Sequence, residues 1–100
     1  MSVERLSALR EHARVTPQER FAYNLRRRRV AVGISQEELG ERTELHRTEI
    51  SLLERAGREP RFATMLKLCG ALSTTPDALC EGTAWDHKAR RFTAEEPKGD

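Results

Sequence analysis

Four side chains between residues 47 and 55 carry hydrogen-bond donors that a binding site could use: Arg47, Thr48, Ser51 and Arg55. Guanidinium and hydroxyl groups donate to the acceptor atoms that DNA presents on its base edges and phosphates. At helical spacing, Ile50 and Leu53 would face a core and leave these donors outward. An ordinary solvent-exposed helix would look the same, so the neighbouring elements have to decide between the two interpretations.

The first predicted helix covers 17–32. It follows the stretch TPQE at 16–19, which provides an N-cap hydroxyl, a proline at the first helical position and a glutamate at the third. Phe21 and Leu25 lie on its apolar stripe, and Gly33 ends it.

A second capping box, SQEE at 35–38, predicts a short helix that ends near Arg42, with Ile34 and Leu39 spaced as a hydrophobic staple. The third predicted helix covers about 47–55. Its N-cap is His46, a weak capping residue, with Glu49 at the third position to help cap the start.

Two further helices complete the domain. After a proline at position 60, FATMLKLCGAL at 62–72 predicts a fourth helix, and TPD at 75–77 opens a fifth that runs through Leu79. The fourth helix is expected to turn these residues to the core: Phe62, Met65, Cys69 and Leu72.

The second and third helices are short, joined by a tight turn and flanked by longer helices, which is a helix-turn-helix organisation. Because such helices cross steeply, a small residue is wanted where they meet, and Gly40 occupies that place. The stretch SQEELGERTELHRTEISLLERAGREP, within a match from about Phe21 to Leu79, resembles the phage-repressor-like family (Cro, lambda repressor and xenobiotic-response-element regulators). The resemblance implies an all-α, five-helix domain that binds double-stranded DNA. Its third helix would dock in the major groove, with homodimers on half-sites about 34 Å apart.

The resemblance also assigns roles by position. Gln36 would contact the sugar–phosphate backbone, and His46 would lie near a phosphate. Arg58 and Arg61, in and just after the next loop, would contact the backbone or the edge of the minor groove. The base-facing positions are Arg47, Thr48, Ser51 and Leu52, with Arg55 on or near the same outward face.

One implied pair is structural: Arg29 and Glu54 would bridge the first and third helices and hold the recognition helix at its angle. Two glycines usual in the family are replaced here. Glu44 stands in the turn, and Ala56 follows the third helix, so Gly57 is expected to end that helix.

Charge is unevenly distributed along the chain. Residues 1–35 carry eight Arg against three Glu, residues 36–61 five Arg against seven Glu, and residues 62–100 five basic against six acidic residues. The run RRRR at 26–29 suits a solvated helix face as well as a phosphate contact, so charge alone does not identify a nucleic-acid binder. Arg29 apart, the run is expected to be solvated or to face phosphate.

Composition excludes several other classes. The mean hydropathy is −0.71, and the sequence shows no membrane-spanning run and no signal peptide, so a cytoplasmic protein without a membrane contact is expected. Cys69 and Cys80 have no metal-ligand spacing and are interpreted as small buried hydrophobes. Three scattered histidines and the lack of a phosphate-binding glycine loop or nucleophile motif argue against an enzyme, a metal site or a cofactor.

The sequence therefore predicts an arm or extra helix over 1–15, a helix-turn-helix domain over 16–82 and a tail over 83–100. Trp85 and Phe92 favour a β-hairpin in that tail, followed by disorder. The two aromatics either form a dimer contact or fold back onto the fifth helix. The expected function is a sequence-specific transcriptional repressor; the alternatives are an antitoxin-type repressor that also binds a toxin, and a protein–protein adaptor that keeps the fold.

Overall fold

The computed structural model describes residues 15–98. The arm or helix predicted over 1–15 lies, apart from Val15, outside the described residues. Five helices are followed by two strands: α1 (Pro17–Val32), α2 (Gln36–Thr43), α3 (Arg47–Glu54), α4 (Phe62–Leu72), α5 (Pro76–Leu79), β1 (Thr83–Asp86) and β2 (Arg91–Ala94). The five predicted helices and the predicted hairpin are confirmed. Within the described part of the chain, no helix is long and apolar enough to cross a membrane.

The predicted N-cap side chains of α1, α2 and α3 each accept from a backbone amide at the helix start, but the second capping box is incomplete. At α1, the Thr16 hydroxyl accepts from the Glu19 amide, and the Glu19 carboxylate accepts from the Thr16 amide, which completes the capping box. At α2, the Ser35 hydroxyl accepts from the Glu38 amide, but the Glu38 carboxylate accepts from Arg42 at 2.7 Å instead. The second capping box is therefore only half formed, because a charged donor one turn later competes for the carboxylate.

One apolar core unites all five helices. Phe62 was predicted to face it and does not: its side chain is 77% exposed, because it is the first residue of α4 and no other described element covers that turn. Leu68, which the prediction left out, is fully buried on the same helix. The buried apolar cluster consists of Phe21, Leu25, Ile34, Leu39, Ile50, Leu53, Leu68, Cys69, Leu72 and Leu79.

Helices α2 and α3 approach each other at Gly40. A Cβ atom at this position would lie 2.6 Å from the Leu45 carbonyl oxygen, so a side chain does not fit without a backbone shift. The Leu45 amide donates to the Gly40 carbonyl at 2.9 Å, which closes the turn between the helices. Thr43 is buried at the end of α2, where its hydroxyl donates to the Leu39 carbonyl at 2.7 Å. The turn is therefore fixed by close packing as well as by hydrogen bonds.

The hairpin is held against α1 by two polar side chains. The Asn24 amide donates to the carbonyls of Leu79 and Glu81 at 3.0 and 2.9 Å, which fixes the chain as it leaves α5. Arg20 is buried and donates to the Glu95 carbonyl at 2.8 Å and to the Asn24 side-chain oxygen at 3.0 Å. The entrance and the exit of the hairpin are thus tied to the same side of α1.

Gly82 makes this attachment possible. Its φ is +82°, and a Cβ atom here would lie 2.8 Å from the Arg20 guanidinium carbon. Trp85 and Phe92 are paired across the strands, with ring centroids 4.8 Å apart in an edge-on arrangement. They are 52% and 67% exposed, and the strands contact α1 rather than α5, so the alternative in which the two aromatics fold back onto the fifth helix is wrong. Only the strand ends nearest α1, Thr83 and Ala94, are half-buried.

Candidate nucleic-acid interface

Helix α3 presents one apolar side to the core and one polar side to solvent. Ile50 and Leu53 are fully buried, which anchors the helix. On the other side, Arg47 and Thr48 are exposed, and within residues 15–98 neither side chain hydrogen-bonds to another group. The remaining predicted contact residues of this helix are half-exposed or exposed: Ser51, Leu52 and Arg55. The donors singled out in the sequence are therefore grouped on one open surface.

The start of α3 is capped by His46, as predicted. The Nδ1 atom of the imidazole accepts from the Thr48 amide at 3.0 Å. An accepting Nδ1 places the proton of the neutral ring on Nε2, so the exposed edge of His46 is a donor. A donor at the N-terminus of the recognition helix suits the phosphate contact predicted for this residue.

Glu49 does not help cap this helix, contrary to the prediction. Its carboxylate instead accepts from Arg58, in the loop after α3. The guanidinium is a charged donor and the backbone amides of the first turn are neutral, so the ion pair is the stronger contact. The pair neutralises the Glu49 carboxylate next to the surface that is predicted to face DNA. It also engages part of the Arg58 guanidinium, which was expected to contact the DNA backbone.

The predicted pair of Arg29 and Glu54 is present and bidentate. Nε of Arg29 lies 2.6 Å from one carboxylate oxygen and Nη2 lies 3.0 Å from the other, and Nη1 donates to the Ile34 carbonyl. The Glu54 side chain is 2% exposed and that of Arg29 13%. Hydrogen bonding to Glu54 raises the pKa of Arg29 above its ordinary value, against the opposing effect of burial. This pair joins α1 to the end of α3 and fixes the angle of the recognition helix.

Gln36 belongs to the same cluster, which the sequence did not indicate. Its amide group donates to the Glu54 carboxylate at 3.1 Å. One amide N–H is thereby used inside the protein, and the DNA-backbone contact of Gln36 stays a prediction. The start of α2, the end of α3 and the end of α1 meet at this carboxylate.

The arginine run at 26–29 is divided by role. Arg28 was expected to be solvated or to face phosphate; instead its side chain donates to the carbonyls of Leu72 and Ser73 and satisfies the end of α4. Unpaired carbonyls at a helix C-terminus attract cations, which explains the contact. Arg26 and Arg27 are exposed.

Two residues that replace family glycines adopt left-handed backbone conformations. Glu44 has φ = 59° in the turn between α2 and α3, and Ala56 has φ = 59° after α3. Gly57 was expected to end α3, but Ala56 itself makes the left-handed turn, and the Gly57 amide then donates to the Leu52 carbonyl at 2.8 Å. These conformations cost about 1 kcal/mol each for a residue with a side chain.

The two other residues of the predicted interface lie at its edge. Arg55 caps the end of α3 and donates from Nε to the Ser51 carbonyl at 3.2 Å, so it bends back along its own helix. Arg61 is exposed at the N-cap position of α4 and makes no side-chain capping bond. Together with Arg58, it places cations along the loop that follows the recognition helix.

The cysteines lie away from this surface. Cys69 is buried in the core and Cys80 is half-buried, and both are free thiols. Burial raises the pKa of each thiol, with smaller effects from the neighbouring thiol on Cys69 and from Asp77 on Cys80. Among the described residues, no three His, Cys, Asp or Glu side chains are grouped as metal ligands.

These features define a helix-turn-helix DNA-binding domain: a closely packed turn between α2 and α3, a helix α3 held by a buried ion pair, and an open polar face on α3. A family model described as helix-turn-helix matches residues 25–79, and the chain belongs to this family, of the Cro/C1 type. It is a DNA-binding regulator. The family match ends before the hairpin.

Several solved structures are similar to this chain. The restriction-modification controller protein C.AhdI from Aeromonas hydrophila is 35% identical, with a TM-score of 0.60 over 62% of this chain and 94% of that protein. The P22 c2 repressor, solved in complex with a synthetic operator, is 34% identical, with a TM-score of 0.59 over 62% and 94%. The hypothetical transcription factor NHTF from Neisseria is 35% identical, with a TM-score of 0.60 over 63% and 72%. The search of curated proteins gave no match.

Proposed function

We propose that the protein is a sequence-specific repressor that binds double-stranded DNA as a homodimer and reads the major groove with α3. The observation that carries the proposal is the open face of α3, where Arg47 and Thr48 are exposed and engaged by no other described group. An arginine in this place can donate two hydrogen bonds to a guanine. The threonine can hydrogen-bond to a base edge through its hydroxyl or contact a thymine methyl through its own methyl group. His46 and the loop cations, Arg58 and Arg61, would fix the helix against phosphates.

The short recognition helix argues for two copies on one operator. Its eight residues span about 12 Å, which is enough for a few base pairs only. A two-fold-related second copy would read a second half-site about 34 Å away. Phe62 and Leu66 are exposed on α4, which begins directly after the loop at 55–61, and they offer an apolar contact for that second copy.

Two arguments support repression over activation: the similarity to a known repressor, and the simplicity of blocking a promoter by occupying it. The P22 c2 protein, which is 34% identical, is a repressor solved on an operator. A domain that occupies a promoter blocks transcription by its presence alone, and this requires no activating surface.

The test is the selection of bound sequences from a random DNA pool, followed by binding measurements with variants. Arg47→Ala should cost about 1–3 kcal/mol per half-site and relax the preference at one base pair. The matched control is Arg26→Ala, which removes the same charge from an exposed position on α1 instead of α3. It should leave the selected sequence unchanged. If no sequence is enriched, or if Arg47→Ala binds the selected operator as well as the wild type, the proposal is wrong.

Dimerisation has its own measurement. Sedimentation of the wild type with an operator of two half-sites should give two chains per duplex, and Leu66→Glu should give stepwise, weaker binding of single chains. Equal cooperativity in Leu66→Glu would remove α4 from the dimer contact.

A second candidate is a protein whose main partner is another protein, as in an antitoxin-type repressor or an adaptor. It is favoured by the acidic residues on the outward side of α2, where Glu37, Glu41 and Glu44 are all exposed. A salt titration separates the two functions. The affinity of a DNA binder that neutralises several phosphates falls steeply with salt, whereas an adaptor shows no saturable DNA binding at any salt concentration.

A further inference from the structure

The hairpin presents an aromatic surface that the DNA-reading function does not use. Trp85 and Phe92 face the same way because they are directly paired across the two strands. Both are more than half exposed, and their rings pack edge to face on each other. Exposed aromatic pairs of this kind are more typical of a protein-binding surface than of a solvated one.

The hairpin and the recognition helix lie on opposite sides of α1. Gln18 and Arg29, about three turns apart on α1, contact Ala56 and Glu54 next to or within α3. Arg20, roughly half a turn from Gln18, faces the other way and holds the hairpin. A surface behind α1 stays accessible while α3 is in the groove, so DNA is not the natural occupant of the aromatic pair.

The turn beside the aromatic pair is positively charged. It carries Lys88 and Arg90, whereas Asp86 and Arg91 are paired across the strands on the opposite face, and Glu81, Glu95 and Glu96 flank the far end of the hairpin. The Asp86 carboxylate accepts from the backbone amides of Lys88 and Ala89, so it also serves to hold the turn. A partner for this surface is therefore acidic and apolar.

A second copy of the chain fits less well. Two such hairpins packed face to face would bring their basic turns into one small interface. The exposed parts of Trp85 and Phe92 provide roughly 250 Å² of apolar area, taking 150–250 Å² for each ring, and a stable dimer buries about 800 Å² on each partner. An extended peptide needs less area, because it gains main-chain hydrogen bonds at a free strand edge. Within residues 15–98 the sheet has two strands, so each strand has one such edge.

We propose that the hairpin formed by β1 and β2 binds an acidic, apolar segment of a partner protein. The apolar side chains of the segment pack on Trp85 and Phe92, and its carboxylates pair with Lys88 and Arg90. A third strand would also stabilise a hairpin that is marginal as a two-stranded unit. This binding goes beyond the reading of DNA and does not depend on it.

The test uses Trp85, the sole tryptophan of the chain, as a reporter inside the proposed site. The probes are two panels of synthetic peptides without tryptophan, with valine or phenylalanine at alternate positions. Glutamate fills the other positions in one panel, and lysine fills them in the other. Members of the glutamate panel should shift the Trp85 emission to the blue and saturate it, and the lysine panel should not.

Three variants locate the binding. Phe92→Ala should weaken the best glutamate peptide by at least about tenfold, which corresponds to 1.4 kcal/mol. Val30→Ala removes a comparably exposed apolar side chain elsewhere on the surface and should change nothing. Lys88→Glu combined with Arg90→Asn should abolish the preference for glutamate; asparagine tolerates the left-handed backbone of Arg90, whose φ is 59°. Since these positions are exposed, circular dichroism should show an unchanged fold.

Four outcomes would overturn the proposal. The first is that no glutamate peptide saturates the emission, and the second is that the lysine panel binds equally well. The third is an emission shift with protein concentration alone, together with faster sedimentation, which would assign the surface to a second copy. The fourth is a shift caused by duplex DNA and lost in Phe92→Ala, which would assign it to nucleic acid. None of these readouts requires an operator, so they are independent of the DNA-binding test.

Discussion

Removal of Arg29 tests how the recognition helix is held. The Glu54 side chain is 2% exposed, and in Arg29→Met the Gln36 amide would be its one remaining partner among the described residues. The variant loses two hydrogen bonds between charged groups, worth about 1.5–3 kcal/mol each. Breaking a buried ion pair from one side costs about 3–5 kcal/mol. We therefore expect the free energy of unfolding to fall by about 4 kcal/mol, a large share of the stability of a small domain.

Two related variants separate the charge from the contact. Glu54→Gln keeps an acceptor oxygen for Arg29. The charge left unpaired is that of Arg29, which is more exposed than Glu54 and whose Nη1 still donates to the Ile34 carbonyl. This variant should cost about half as much as Arg29→Met. The double variant Arg29→Met with Glu54→Leu leaves neither charge of the pair behind and should recover most of the loss.

The measurement is urea denaturation followed by circular dichroism in the helix band. Glu38→Gln is the matched control, because Glu38 pairs with Arg42 in an exposed contact one turn apart, and such pairs contribute only about 0.5 kcal/mol. If Arg29→Met costs no more than this control, or if the double variant is less stable than either single variant, the buried pair does not hold the helix as described.

Three further predictions concern other positions. Gly40→Ala should lower the free energy of unfolding by about 1–3 kcal/mol, since its Cβ would meet the Leu45 carbonyl at 2.6 Å; unchanged urea stability would show that the helices can move apart freely. His46→Ala should cost about 0.5–1 kcal/mol and His46→Ser almost nothing, and equal losses would exclude the capping role. Because burial raises the pKa of both thiols, the folded chain holds those protons more tightly than the unfolded chain does. Stability should thus fall as the pH rises above about 8.5, more steeply in the wild type than in Cys69→Val with Cys80→Ala, and parallel slopes would contradict it.

The order and bounds of the helices could be predicted because their starts depend on local chemistry. A hydroxyl, a proline and a glutamate at 16–19 specify a helix start with no information from the rest of the fold. The close approach of the helices at Gly40 could also be predicted, since it leaves no room for a side chain. The resemblance then supplied the pairing of Arg29 with Glu54, which no local rule would give.

What could not be predicted depends on competition between distant groups. Glu49 had a local role available in the cap, but it bonds to Arg58, nine residues later, whose position follows from the path of the loop. The hydrogen bond from the Gln36 amide to Glu54 could not be predicted either, because the burial of the Glu54 carboxylate depends on the packed domain. Phe62 continues the apolar period of α4, yet the period does not say where the neighbouring helices end. Periodicity gives the direction of a side chain, and coverage depends on tertiary structure.

Helix α1 holds the reading helix on one side and the hairpin on the other. A molecule bound to Trp85 and Phe92 would therefore be separated from α3 by the width of α1, ~10 Å. Arg20 and Asn24 tie both ends of the hairpin to the helix, so its orientation relative to α3 is fixed. The operator sequence would then determine where the partner is held: wherever α3 binds along the double helix, the partner bound to the hairpin lies at a fixed distance and orientation from that site.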